Sequence, residues 1–467
     1  MASETTTTTD RLGEEVGAAL RERMRGAVLG RDDPGFEPAR QVWNGFVDRH
    51  PVVFARCEGV ADVVAAVEVA RRFRPPVSIR GGGHQVAGGA LCDDGLVIDV
   101  GPMHGVHVNP AERTVRVEAG ARWADVDRAT QLFGLVVPGG EVSVTGVAGY
   151  TLGGGLGLLQ RKFGLACDNL RSVEVVTADG LVRTASATEN PDLFWAARGG
   201  GRGIGVVTSF EFDLHPLGPQ VVLATVFYSY DQARDVLRAW RDYTASAPRE
   251  VSPEYGLWSV PPAPAIPAEL HGQKVVVVGG LYAGDPAEAG KVLGPLAGLG
   301  GPLIDATATA PYTAVQERLD PLFADGERRY WKSHFLDALP DEAVEAVVAL
   351  DADRPTPQCL TILRTLGGAI DDVAPADSAY PHRGALYNLS IDGNWTDPAM
   401  DARLVGWVRA GWDSMRPYST GGVYVNFAGM DADAGAEEVY GGASDRLAQV
   451  RQAYDPDGLF ADAAGRH

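Results

Sequence analysis

Glycine placement governs what the first half of this chain can become. Three clusters lie between residues 80 and 205: Arg80-Gly81-Gly82-Gly83-His84, then GVAGYTLGGGLG over 146–157, then GGGRGIG over 199–205. A glycine inside regular structure is less stable than alanine by about 0.5–1 kcal/mol, so clusters persist where the backbone turns through positive φ or approaches something closely. With no side chains in the way, successive N–H groups can converge on phosphate oxygens. One cluster alone reads equally well as a turn between strands; three in one region favour a dinucleotide or polyphosphate site. No stretch fits G-x-G-x-x-G or G-x-x-x-x-G-K-[ST], which disfavours a doubly wound NAD fold and a P-loop nucleotidase.

Charge narrows the partners. There are 41 basic and 61 acidic side chains, a net charge of −20, and no long basic run. Nucleic acid and anionic membrane surfaces are therefore poor partners. The length, 467 residues, allows two or three domains. No apolar run approaches the roughly 18 residues of a membrane span. The opening MASETTTTTDRLGEE reads as a polar tail without the basic and apolar regions of a secretory signal, so a cytoplasmic location is expected. Cys57, Cys92, Cys167 and Cys359 are few and far apart, which suits a reduced compartment. His104 and His107 lack a third ligand at convincing spacing, and no metal is expected.

Periodicity predicts helices over 62–72 and 123–133, the latter stopped by Gly134. Strands are expected over 76–80, 96–100, 114–118 and 205–215, with a hairpin over 171–186. The Pro/Gly cluster at 216–219 marks a domain boundary. Beyond it, helices over 231–245, 287–299, 341–351 and 400–415 alternate with strands over 221–228, 274–281, 359–366 and 385–392. The remainder holds a strand over 423–428 and a helix over 437–454, too little for a separate core. The division expected is a tail and lead-in helix (1–40), a first domain (41–216), a second (217–416), and a returning segment (417–467).

Four segments together are specific: SIRGGGHQVAGGALCDDGLVIDV over 78–100, GVAGYTLGGGLGLLQRKFGLACDNLRSVEVVTADG over 146–180, YVNF over 424–427 and YDPDGLF over 454–460. Their order and spacing resemble the berberine bridge enzyme-like FAD-linked oxidases of the vanillyl-alcohol oxidase superfamily. The resemblance implies an α+β, two-domain PCMH-type FAD-binding fold, with a substrate domain of antiparallel sheet covered by helices. It implies a bicovalent FAD, with His84 bonded to the 8α carbon and Cys167 to C6. Chemically, a neutral imidazole can attack the 8α position, and a thiolate can attack C6 if its pKa is lowered locally. Arg80, Gly81, Gly82, Gly83, Gly88, Gly139, Gly146, Gly149, Gly153, Gly154, Gly157, Gly205, Val207 and Asn426 are the further cofactor-binding positions implied.

The resemblance also implies a small-molecule substrate and O2. A hydride would leave a C–H beside a hydroxyl of a sugar, oligosaccharide or glycosylated natural product, and O2 would become H2O2. The alternative is C–C or C–N bond formation, or oxidation of a phenolic alcohol, in natural-product biosynthesis. Tyr424 is implied as base with Asn426 beside it, sharing one face of the expected strand; the other reading packs Tyr424 in the core with its hydroxyl satisfied by backbone. Asn388, Ser390 and Asp392 alternate on one strand face, which either meets substrate or faces solvent. Asp392 is the reserve base. The chain departs from the family pattern at Gly203-Ile204, where Asn-Phe is usual, at Val86 and Gly458, and in its ADAAGRH ending.

Overall fold

The computed structural model describes residues 8–262, 267–428 and 435–460. The ADAAGRH ending lies outside them. Of the expected N-terminal tail, Thr8–Arg21 is helical, with Val16 and Leu20 buried in the first core.

Two larger sheets build the first domain, beside a two-stranded pairing of Leu135–Val136 with His215–Pro216. Val53–Arg56, Leu96–Asp99 and Val77–Arg80 pair in parallel, with Val28–Gly30 antiparallel at the edge. The central strand, LVID, is buried throughout, as a parallel strand covered on both faces requires. Helix Val60–Phe73 covers one face through Val63, Ala66 and Val67, while Phe54 and Val97 pack with Phe36 on the other. The second sheet is antiparallel, in the order Val106–Asn109, Thr114–Glu118, Val206–Asp213, Leu170–Val176, Val182–Ser186.

The second domain is one antiparallel sheet. Its order is Pro302–Asp305, Gln220–Ser229, Lys274–Tyr282, Val251–Ser259, Leu360–Thr365, Tyr387–Trp395, Arg328–Leu336, with Ala308–Pro311 also pairing with Gln220–Ser229. Helices Ala233–Thr244, Asp341–Ala352 and Asp401–Met415 pack Trp240, Val347 and Met415 into one core with Tyr255 and Leu389. Strand alternation then turns Glu254, Gly256 and Trp258 to the opposite face.

Several elements differ from the sequence reading. Val251–Ser259 carries Pro253 and Gly256, and Arg328–Leu336 carries Arg328, Arg329, Lys332 and His334, so neither looks like a strand, although both are. The expected strand over 423–428 is instead a short 3₁₀ turn, Val425–Phe427. The expected helix over 437–454 breaks at Gly441, φ 47°, into Ala436–Tyr440 and Ser444–Tyr454. Tyr424, Leu447, Val450 and Phe460 then join the core of the first domain.

Candidate active site

A cavity of about 860 Å³ is lined by the glycine-rich segments of the first domain and the helix-free face of the second-domain sheet. Its first wall is backbone. A Cβ on Gly82 would lie 2.5 Å from the Cα of Gly146, and one on Gly146 2.6 Å from the Cα of Gly82. The 81–83 loop and the start of helix Val147–Leu152 therefore touch main chain to main chain, which only glycine permits. Gly81, Gly82, Gly83, Gly146, Gly149, Gly153, Gly205 and Val207 line this wall. Gly88, Gly139, Gly154 and Gly157 do not line it. They allow close packing behind it: Gly157 against the Gly139 carbonyl, Gly154 against Tyr380, Gly88 against Val47.

His84 lines the cavity with its ring stacked on Trp43, centroids 3.9 Å apart. Arg329 covers Trp43 at 3.9 Å. Burial, reinforced by the Arg329 charge, pushes the His84 pKa down to about 3, so the imidazole is neutral. Its Nε2 is buried without a hydrogen-bond partner among the described residues.

Three expected roles are corrected. Arg80 does not line the cavity, because its guanidinium is spent on the Ala39 carbonyl; Arg202, in the third glycine cluster, lines it instead. Cys167 is fully buried in the turn Ala166–Asn169, its N–H donating to Gly154 O at 2.9 Å. Burial, with Asp168 alongside, raises its thiol pKa far above the ordinary value. Among the described residues no cysteine lines the cavity. Tyr424 is also buried and outside the lining. Its Oη accepts from Gly155 N at 3.1 Å, Leu156 N at 3.0 Å and Asn426 Nδ2 at 2.9 Å. Burial pushes its pKa up to about 12. That is the core-packed reading, and a phenol so held is a poor base. Asn426 does reach the cavity, and its Nδ2 also donates to Tyr150 O at 3.1 Å.

Strand Tyr387–Trp395 is buried along its whole length, so its polar face is not a solvent surface. Asn388 donates to His334 O at 3.4 Å and Ser390 Oγ accepts from Arg364 Nη1 at 3.1 Å; neither lines the cavity. Asp392 does, with Oδ1 unpartnered. Burial raises its pKa to about 7 against the pull of Arg364.

Sequence reasoning missed the group around Arg364. Its Nε lies 3.0 Å from Glu141 Oε1, contributed by the first domain, and 3.6 Å from Glu254 Oε1 on the neighbouring strand. All three line the cavity. Burial and then Glu141 raise Glu254 to about 8, whereas Arg364 overcomes burial to hold Glu141 below its ordinary value. An arginine alternating with Leu360 and Ile362 in LTILRT was the available signal. Among the described residues no His/Cys/Asp/Glu group is arranged to hold a metal.

Residues 51–186 match the FAD binding domain family, and residues 423–465 the family of berberine and berberine-like proteins. An FAD-linked oxidoreductase of Bacillus subtilis (strain 168), YgaK, is 30% identical over 445 residues, covering 94% of this chain and 96% of that protein. The xylooligosaccharide oxidase of Thermothelomyces thermophilus is 29% identical, covering 95% and 93%. The solved 6-hydroxy-D-nicotine oxidase of Arthrobacter nicotinovorans superposes with a TM-score of 0.82 at 27% identity, covering 94% and 96%. The glycine wall and the neutral imidazole of His84, with its Nε2 unpartnered, suit the cofactor these names imply. The chain therefore belongs to the berberine bridge enzyme-like family of FAD-linked oxidoreductases.

Proposed function

We propose that this protein is an oxidase that removes hydrogen from a carbon bearing a hydroxyl group on a small molecule, with Asp392 as proton acceptor. The single observation that carries this is the Asp392 carboxylate, buried in the cavity with one oxygen unpartnered. Bound FAD supplies a two-electron acceptor that O2 reoxidises with release of H2O2. Gly81–Gly83 and Gly146 would hold it through backbone, His84 through one covalent bond. Arg202 would face it as the cation that Arg80 was expected to be. Asp392 takes the hydroxyl proton, and Ser390 and Arg364 keep its carboxyl in place. A carboxylate with a pKa near 7 is well matched to that task at neutral pH.

Of the substrate readings from the sequence, two are alcohol oxidations: of a sugar hydroxyl, and of a phenolic alcohol. The xylooligosaccharide oxidase relative supports the first. The lining supports the second: Phe227, Trp258, Phe323, Trp331, Ile362 and Phe427 dominate the far wall, with Glu141, Glu254 and Arg364 gathered at one place. A sugar needs hydrogen-bond partners spread around its rim, and this wall concentrates them. The test is aerobic peroxide release from panels of mono- and oligosaccharides and of aromatic alcohols. Turnover of aromatic alcohols above saccharides is expected; no peroxide from any member would overturn the oxidase reading.

A further inference from the structure

The second-domain wall of the cavity has no side chains at its centre. In the register of the sheet, Gly279 stands between Thr225 and Glu254, and Gly256 between Val277 and Ile362. Both glycines line the cavity. A glycine in mid-strand weakens the strand, and it marks a bulge, a bend or the close approach of a ligand or another backbone. Neither residue has positive φ, and their pairing is unbroken. No other backbone presses on them. A Cβ on Gly256 would find only the carbonyl oxygen of Val277, at 3.8 Å, and one on Gly279 only that of Ala224, at 3.4 Å. Both oxygens belong to neighbouring strands of the same sheet. What stands before these glycines is cavity.

A second observation points to a ligand there. Asp392, 2% exposed, lines the same cavity with an unpartnered oxygen. Trp258, two residues beyond Gly256 on the same face, lies nearly parallel to Phe227 at 6.3 Å. Glu254 and Arg364 close the opposite end.

We propose that Gly256 and Gly279 form a shelf on which a flat, fused aromatic ring system of the substrate lies against the sheet backbone, with Trp258 beside it and a ring hydroxyl held at the Glu254–Arg364 corner. This rests on the reading that the chain acts on a hydroxyl-bearing small molecule, and it names the class. A planar ring can approach the pleated backbone over its whole area. A sugar ring presents axial hydrogens and hydroxyls that the shelf has nothing to pair with.

The test is a binding titration of holoenzyme without turnover, using 1,8-dihydroxyanthraquinone as the fused-ring probe and cellobiose as the sugar probe. Wild type is expected to bind the anthraquinone at least tenfold more tightly than cellobiose. Gly256→Val and Gly279→Val are each expected to weaken anthraquinone binding at least tenfold at unchanged flavin content, because valine suits a strand and its methyl groups would occupy the shelf. A smaller loss in either variant, or wild type that binds the anthraquinone no better than the sugar, overturns the shelf. Should a valine variant not fold, the alanine variant replaces it with a threefold threshold. Peroxide release is measured separately. Enzyme that binds the ring and makes no peroxide fails the oxidase reading, whereas enzyme that oxidises sugars and ignores the ring fails the shelf.

Discussion

Arg364 and Glu141 face each other across the two domains, Nε to Oε1 at 3.0 Å, with only 8% and 11% of their side chains exposed. Glu254 and Ser390 depend on the same guanidinium. Replacing it by Arg364→Met leaves the buried carboxylates with only the weaker pull of Arg318, a change of about 3–5 kcal/mol. Glu141 is held below its ordinary pKa, so its contribution is present above the unfolded value and lost as pH falls through the folded one. Thermal denaturation should therefore show a large fall in Tm at pH 7 that narrows in acid.

Asp392 titrates near pH 7 and accepts a proton only when ionised. Substrate-dependent reduction in wild type should rise with pH through about 7. Asp392→Asn should keep its bound flavin, slow reduction by about 10²–10⁴-fold, and lose that limb of the profile. Stopped-flow reduction across pH 5–9 measures all three.

Tyr424→Phe tests the opposite expectation. Its hydroxyl oxygen takes three N–H donors, and removing it strands two backbone groups in the core. Unfolding free energy should drop by about 1–3 kcal/mol, measured by denaturant titration, while the reduction rate changes less than tenfold.

Attachment of the cofactor should depend on one side chain. After acid precipitation, flavin is expected to stay with the polypeptide in Cys167→Ala and to be released completely from His84→Ala. Flavin that stays with the polypeptide in His84→Ala would restore the second bond.

What the sequence conveyed well was contiguous. RGGGH places loop and imidazole within five residues, so the nearness of His84 to the glycine wall survives any modest error in the surrounding elements. Cys167 and Tyr424 sit in equally recognisable motifs, but their orientation depends on 3₁₀ turns, Ala166–Asn169 and Val425–Phe427, where strand alternation does not hold. The Arg364 group left only the alternation in LTILRT as a local trace, because its ion pair joins positions 223 residues apart. Strand Arg328–Leu336 was hidden for a related reason. Arg329, Lys332 and His334 are buried, and Arg329 is matched by the carbonyls of nearby Ala324 and Glu327 and of Trp43, a partner no window of that segment contains.

Leu447, Val450 and Phe460 sit in the same core as Val53 and Leu96, with Phe460 also at the cavity. The glycine loops and every described strand lie before residue 396, whereas these three plugging residues of the first-domain core lie after it. Removing residues 444–460 is therefore expected to open the first-domain core and its side of the cavity while leaving the sheet that forms the substrate wall.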